Sequence, residues 1–213
     1  ADPFAGEGPW VVTFSSASGI DLHGIVYGKG TIGVVLAPMY PGEQAGWAEF
    51  AETAAAQGFR VLTFDFQGYG ESAGERDFAT APDDLRGAVD FIKAQGAEKV
   101  VVIGAGQGGL AAVRVASQTE LAGVVVLSAS NTLPELAVAD AELAALAVPS
   151  LWIGTRQDLM QNVEEMADKA GGTDKSIWIY EGLAVHGTYL LQGAERGDLE
   201  RRLLEFVARV TAP

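Results

Sequence analysis

A chain of 213 residues, 48% hydrophobic and 20% charged, is long enough to bury a sizeable core and too apolar to be disordered. Its formal net charge of −14 argues against a nucleic-acid partner, because phosphate binding rests on clustered Lys and Arg. With no cysteine, disulfides, thiolate nucleophiles and zinc-thiolate sites are excluded; two histidines are too few for a histidine-rich metal centre, and no apolar run reaches the ~18 residues of a membrane span.

Residues 1–9 read as an N-terminal tail and residues 10–213 as a single domain. The absence of thiols and of an initiator methionine leans toward export, while compartment and oligomeric state stay open. WVVTF (10–14) and IDLHGIVYG (20–28) predict an antiparallel hairpin with Gly19 in its turn. Six apolar runs typical of buried parallel strands follow: IGVVLA (32–37), RVLTFDF (60–66), KVVVIG (99–104), AGVVVLS (122–128), PSLWIG (149–154) and SIWIY (176–180). Helical periodicity fills the intervals. In 83–95 it puts Leu85, Ala88, Val89 and Ile92 on one face, with Pro82 in the first turn. In 194–210 Leu199, Leu203, Phe206 and Val210 form the stripe and Arg196, Arg201, Arg202 and Arg209 the solvated side. The expectation is an α/β fold: an eight-stranded, mostly parallel sheet with helices on both faces.

The stretch VVVIGAGQGGLAAV (100–113) carries the chemistry, and it has two readings. As G-x-G-x-x-G on Gly104, Gly106 and Gly109 it would cradle a dinucleotide pyrophosphate. That reading also needs a carboxylate ~20 residues on for the ribose, and the window VVVLSASN has none. No cofactor is therefore expected. As a strand-turn-helix elbow, G-x-S-x-G-G with Gly106 in place of the serine, it calls for an acid and then a histidine further along. LWIGTRQD supplies Asp158 past the strand after next, and EGLAVHGTYLL supplies His186 after the last strand.

With those segments aligned, the chain resembles the α/β-hydrolase superfamily, in particular its small lidless members related to dienelactone hydrolases and serine esterases. LTFDFQGYGESAG (62–74) is similar to the superfamily's D-x-R-G-x-G-x-S segment, and VVLAPMYPG (34–42) occupies the place of its oxyanion loop. The resemblance implies an ester-hydrolase scaffold for small ester or acyl ligands, with Asp158 and His186 as acid and base. The backbone N–H groups of Tyr40 and Gln107 would hold the oxyanion. It also exposes one departure: the nucleophile position holds Gly106, which has no atom to attack a carbonyl. Glycine adopts the strained elbow conformation at no cost to a side chain, so engineered loss and natural loss give the same sequence. The chain is accordingly expected to be inactive or very weak, with a natural ligand-binding pseudoenzyme as the alternative and a dinucleotide (FAD or NAD)-binding protein as the less favoured one.

Met39, Met160, Leu183 and Tyr189 flank the motif loops and are candidates for the pocket wall. The remaining polar residues have ordinary readings. His23 is a surface or packing residue, Asp65 a turn-stabilising carboxylate, and Glu43 and Glu71 solvated loop charges. Ser128 ends a strand without an elbow and is a poor replacement nucleophile. Trp47, Trp152 and Trp178 read as core. The segment NTLPELAVADAELAALAV has room for one helix and no lid.

Overall fold

The computed structural model describes residue 4 and residues 8–213; most of the expected N-terminal tail, residues 1–3 and 5–7, lies outside the described residues. Eight strands form one sheet: β1 (Trp10–Ser15), β2 (Asp21–Tyr27), β3 (Ile32–Ala37), β4 (Arg60–Phe64), β5 (Lys99–Ala105), β6 (Gly123–Leu127), β7 (Ser150–Thr155) and β8 (Lys175–Tyr180). Their order across the sheet is β1-β2-β4-β3-β5-β6-β7-β8. Strand β2 pairs antiparallel with both β1 and β4, and every later pairing is parallel.

Among the described residues six α-helices close over the sheet: α1 (Ala48–Ala56), α2 (Ala81–Ala94), α3 (Gln107–Ala116), α4 (Asp140–Ala145), α5 (Val163–Lys169) and α6 (Arg196–Thr211). Because successive side chains of a strand point to opposite faces, each central strand feeds two cores. Val35, Val100 and Val102 pack with the α2 to α5 side, where Leu85, Leu110, Leu143 and Met166 lie. Val34, Val101 and Ile103 pack with the α1 and α6 side, against Phe50, Leu199, Leu203 and Phe206. This two-faced burial is why those strands read as continuous apolar runs.

One core expectation is corrected. Trp47 and Trp152 are fully buried, but Trp178 is 39% exposed. It lies on β8, the edge strand, where no further layer covers it, and the Arg202 guanidinium stacks over its ring. Between β6 and β7 the chain forms only the six-residue α4, so nothing roofs the carboxyl ends of the strands.

Candidate active site

The elbow is a one-residue turn. Strand β5 ends at Ala105, α3 begins at Gln107, and Gly106 alone makes the reversal at φ 49° and ψ −116°. Its N–H donates to Leu127 O of the neighbouring strand at 2.8 Å, and its carbonyl accepts from the Gly109 and Leu110 amides at 3.0 and 3.2 Å. The flanking glycines are there for close approach. A Cβ on Gly108 would stand 2.5 Å from Ala37 O, and the Gly108 amide donates to Pro38 O at 3.1 Å, which ties the elbow to the loop after β3. Close packing likewise explains two glycines of the dinucleotide-like pattern: a Cβ on Gly104 would run into the Gly108 backbone, and one on Gly109 would stand 3.1 Å from Ala129 Cβ.

The direction that a side chain at position 106 would take can be read from the backbone. A Cβ on Gly106 would lie 3.4 Å from His186 Nε2 and 3.1 Å from Met39 Cβ. On the far side of the imidazole, His186 Nδ1 and Asp158 Oδ2 are 2.7 Å apart, so Nδ1 carries the hydrogen and the carboxylate accepts it. Asp158 is buried, and its Oδ1 accepts the Met160 N–H at 2.9 Å. The loop after β7 and the loop after β8 are stitched together behind this pair. Thr155 Oγ1 donates to Val185 O at 3.0 Å, and the Gln157 N–H donates to Leu183 O at 2.8 Å. Arg156 bridges Glu164 and Glu181 at the surface of the same junction.

A cleft of about 330 Å³ opens over Gly106. Its floor is Gly106, Gln107, Ser128 and His186; Tyr40, Leu133, Leu159 and Met160 give apolar wall, and Ser130 and Thr132 give hydroxyls. The backbone N–H groups of Tyr40 and Gln107 have no acceptor among the described residues. Among the described residues no group of three His, Asp or Glu side chains is placed to hold a metal ion.

The structure therefore brings together Tyr40, Gly106, Gln107, Asp158 and His186, and puts Met160 on the wall. Three of the wall candidates stand elsewhere. Met39 is buried beneath the cleft, wedged between Gly106 and Gly187, whose added Cβ would meet its Sδ at 2.4 Å. Leu183 packs on the α1/α6 core, and Tyr189 is half exposed in the turn after His186 but does not line the cleft. Sequence reasoning missed Ser130, Thr132, Leu133 and Leu159, which sit in loops without a motif.

It also missed a buried network under the loop after β3. Asp65 Oδ1 accepts the Gln44 N–H at 2.8 Å and Oδ2 accepts Gln44 Nε2 at 2.7 Å. The same amide lies 2.7 Å from His23 Nδ1, and Gln44 Oε1 accepts from Thr63 Oγ1 at 2.9 Å. His23 is thus a hydrogen-bonded packing residue rather than a free surface one, and Asp65 anchors the segment that carries Tyr40. Gln44 bore no motif signal; only its position after the Pro-Gly turn hinted at a role.

The family follows from a match between residues 22–208 and the profile of the Alpha/beta hydrolase family. The chain belongs to that family. Among curated protein sequences none matches. Solved structures of the same fold include an esterase of Pyrococcus furiosus, 19% identical with a TM-score of 0.81, covering 95% of this chain and 93% of its own. A monoacylglycerol lipase of Paleococcus ferrophilus is 18% identical with a TM-score of 0.76, covering 89% of this chain and 99% of its own. A thermophilic esterase of Thermogutta terrifontis with malate bound is 18% identical with a TM-score of 0.75, covering 94% of this chain and 99% of its own. The α/β-hydrolase architecture of this chain is that of these enzymes, and no helix among its described residues is long and apolar enough to cross a membrane.

Proposed function

We propose that this chain is an esterase-type serine-hydrolase scaffold with its base and acid in place and no nucleophile. The observation that carries this reading is the Cβ vector of Gly106. It points at His186 Nε2 from 3.4 Å, so a serine hydroxyl built there would reach hydrogen-bond distance of the imidazole. Asp158 would orient the imidazole and stabilise its cation from the other side, at 2.7 Å. The amides of Tyr40 and Gln107, both on the cleft and both without an acceptor, suit the carbonyl oxygen as it gains charge. Small esters and acyl compounds are the ligands, bound in an open cleft. As the chain stands, turnover is negligible: loss of a triad serine removes about 10⁶-fold in kcat and leaves only what orientation and oxyanion binding supply.

Restoring the nucleophile tests this. Gly106→Ser is expected to hydrolyse p-nitrophenyl butyrate at least about 10³-fold faster than the parent, and His186→Ala in the Gly106→Ser background to abolish the gain. A folded Gly106→Ser protein that hydrolyses no faster than the parent contradicts the reading and favours a scaffold kept for binding alone.

A further inference from the structure

We propose that the cleft over Gly106 is a receptor for short-chain monocarboxylic acids, held as the anion against a protonated His186, with Ser128 as a further hydrogen-bond donor. The proposal rests on the reading of the site given above and adds a ligand to it. Ser128 is where the structure points first. It follows β6 at φ 48°, the one non-glycine residue with positive φ among those described. It is fully buried, and its Oγ has no hydrogen-bond partner. Backbone strain and a buried unpaired hydroxyl are each costly, and their coincidence on one residue lining a cleft marks a ligand contact.

The other donors of the cleft floor are similarly unengaged. The Tyr40 and Gln107 amides lack acceptors, and Gln107 opens the ten-residue α3, whose positive end faces the same space. His186 uses Nδ1 on Asp158 and has no partner at Nε2. Tyr40 is the other titratable residue of the cleft wall; no Asp, Glu, Lys or Arg lines it. The two amides and the Ser128 hydroxyl border a cleft that no carboxylate lines, and with His186 Nε2 once it carries a proton they match a carboxylate, which accepts through two oxygens where an ester or amide carbonyl accepts through one. Leu133, Leu159 and Met160 offer apolar cover to an aliphatic tail. Glycine at position 106 is what admits the anion. A serine hydroxymethyl would start 3.4 Å from Nε2, take that nitrogen's hydrogen bond and fill the space between it and the amides.

Neutral His186 presents a lone pair at Nε2, so binding the anion draws one proton from solvent onto that nitrogen. Affinity for butyrate should then fall as pH rises, with a proton taken up on binding. Isothermal titration calorimetry of the full chain, with butyrate and with butyramide, at about pH 5.5 and about pH 8, in buffers of different ionisation enthalpy, reads all of this. Butyramide, alike in shape but uncharged, should bind at least about tenfold more weakly than butyrate at the lower pH. Ser128→Ala should weaken butyrate about tenfold, as should Ser128→Gly, which removes the hydroxyl and relaxes the backbone strain. Gly106→Ser should weaken it by at least as much. Equal binding of acid and amide, pH-independent affinity without proton uptake, unchanged affinity in both folded Ser128 variants, or no butyrate binding at roughly 10 mM would each overturn the proposal. A Gly106→Ser enzyme that hydrolyses esters, beside a parent that binds no butyrate, would sink the receptor and leave the scaffold reading intact. A silent Gly106→Ser protein whose parent binds butyrate with proton uptake would support the receptor and reject the scaffold reading.

Discussion

Gly106→Ala isolates the energetic condition that any side chain at this position must meet. At φ 49° and ψ −116° a residue with a Cβ is strained by about 1–3 kcal/mol, whereas glycine is not. The added carbon would also stand 3.1 Å from Met39 Cβ, tighter than an ordinary van der Waals contact, and Met39 is buried between Gly106 and Gly187 with little room to give. Against this, alanine restricts the unfolded chain and returns about 0.4–1 kcal/mol. The backbone balance is a loss of up to about 2.6 kcal/mol, the crowding against Met39 adds to it, and in a domain of this size each kcal/mol lowers Tm by about 2–4 °C. Differential scanning calorimetry with a matched control reads it. Gly182 has φ 73° and open space around its Cβ position, so Gly182→Ala carries the backbone penalty without the crowding. The Gly106 variant should melt below the Gly182 variant, and Met39→Ala in the Gly106→Ala background should recover the crowding part of the difference. A Gly106→Ala protein at least as stable as the parent would refute the claim that this bend is strained for a side chain.

Two further outcomes follow from the buried polar groups. Asp84 is fully buried, and burial pushes its carboxyl from 3.8 up to about 6, even though it accepts the Gln67 N–H. The folded state therefore holds this proton more tightly than the unfolded state. Asp84's contribution is most favourable below about pH 4 and declines by roughly 3 kcal/mol as pH rises to about 6. Urea unfolding of Asp84→Asn against the parent should show the two stabilities diverging across that window, with the variant the less pH-dependent; parallel curves would contradict it. Gln44→Ala removes the amide that Asp65 Oδ2 and His23 Nδ1 share and leaves the buried carboxylate short of a donor, at a cost of about 2–3 kcal/mol in urea unfolding. A change below about 0.5 kcal/mol would mean the network does not hold the Tyr40 loop.

Strand alternation, the chain order of elbow, acid and histidine, and the glycines that let β5, α3 and the loop after β3 touch are written locally, in residue type and spacing. For that reason the eight strands can be read from the sequence, and so can the convergence of Asp158 and His186 on the turn at Gly106. Other features depend on which elements become neighbours, and no local pattern encodes that. Trp178 has the same strand signature as buried Trp152, yet β8 is an edge and β7 is not. Gln44 became a structural keystone only because Thr63, Asp65 and His23 converge on it from separate strands and loops. Ser128 reads as an ordinary strand end, and its strained backbone and unpaired hydroxyl exist only once β6 is packed beside the elbow. The sequence determined the fold and which residues the elbow brings together. The tertiary structure alone decided which unsatisfied donors surround the gap, because hydrogen-bond satisfaction is a property of neighbours in space and not of neighbours in the chain.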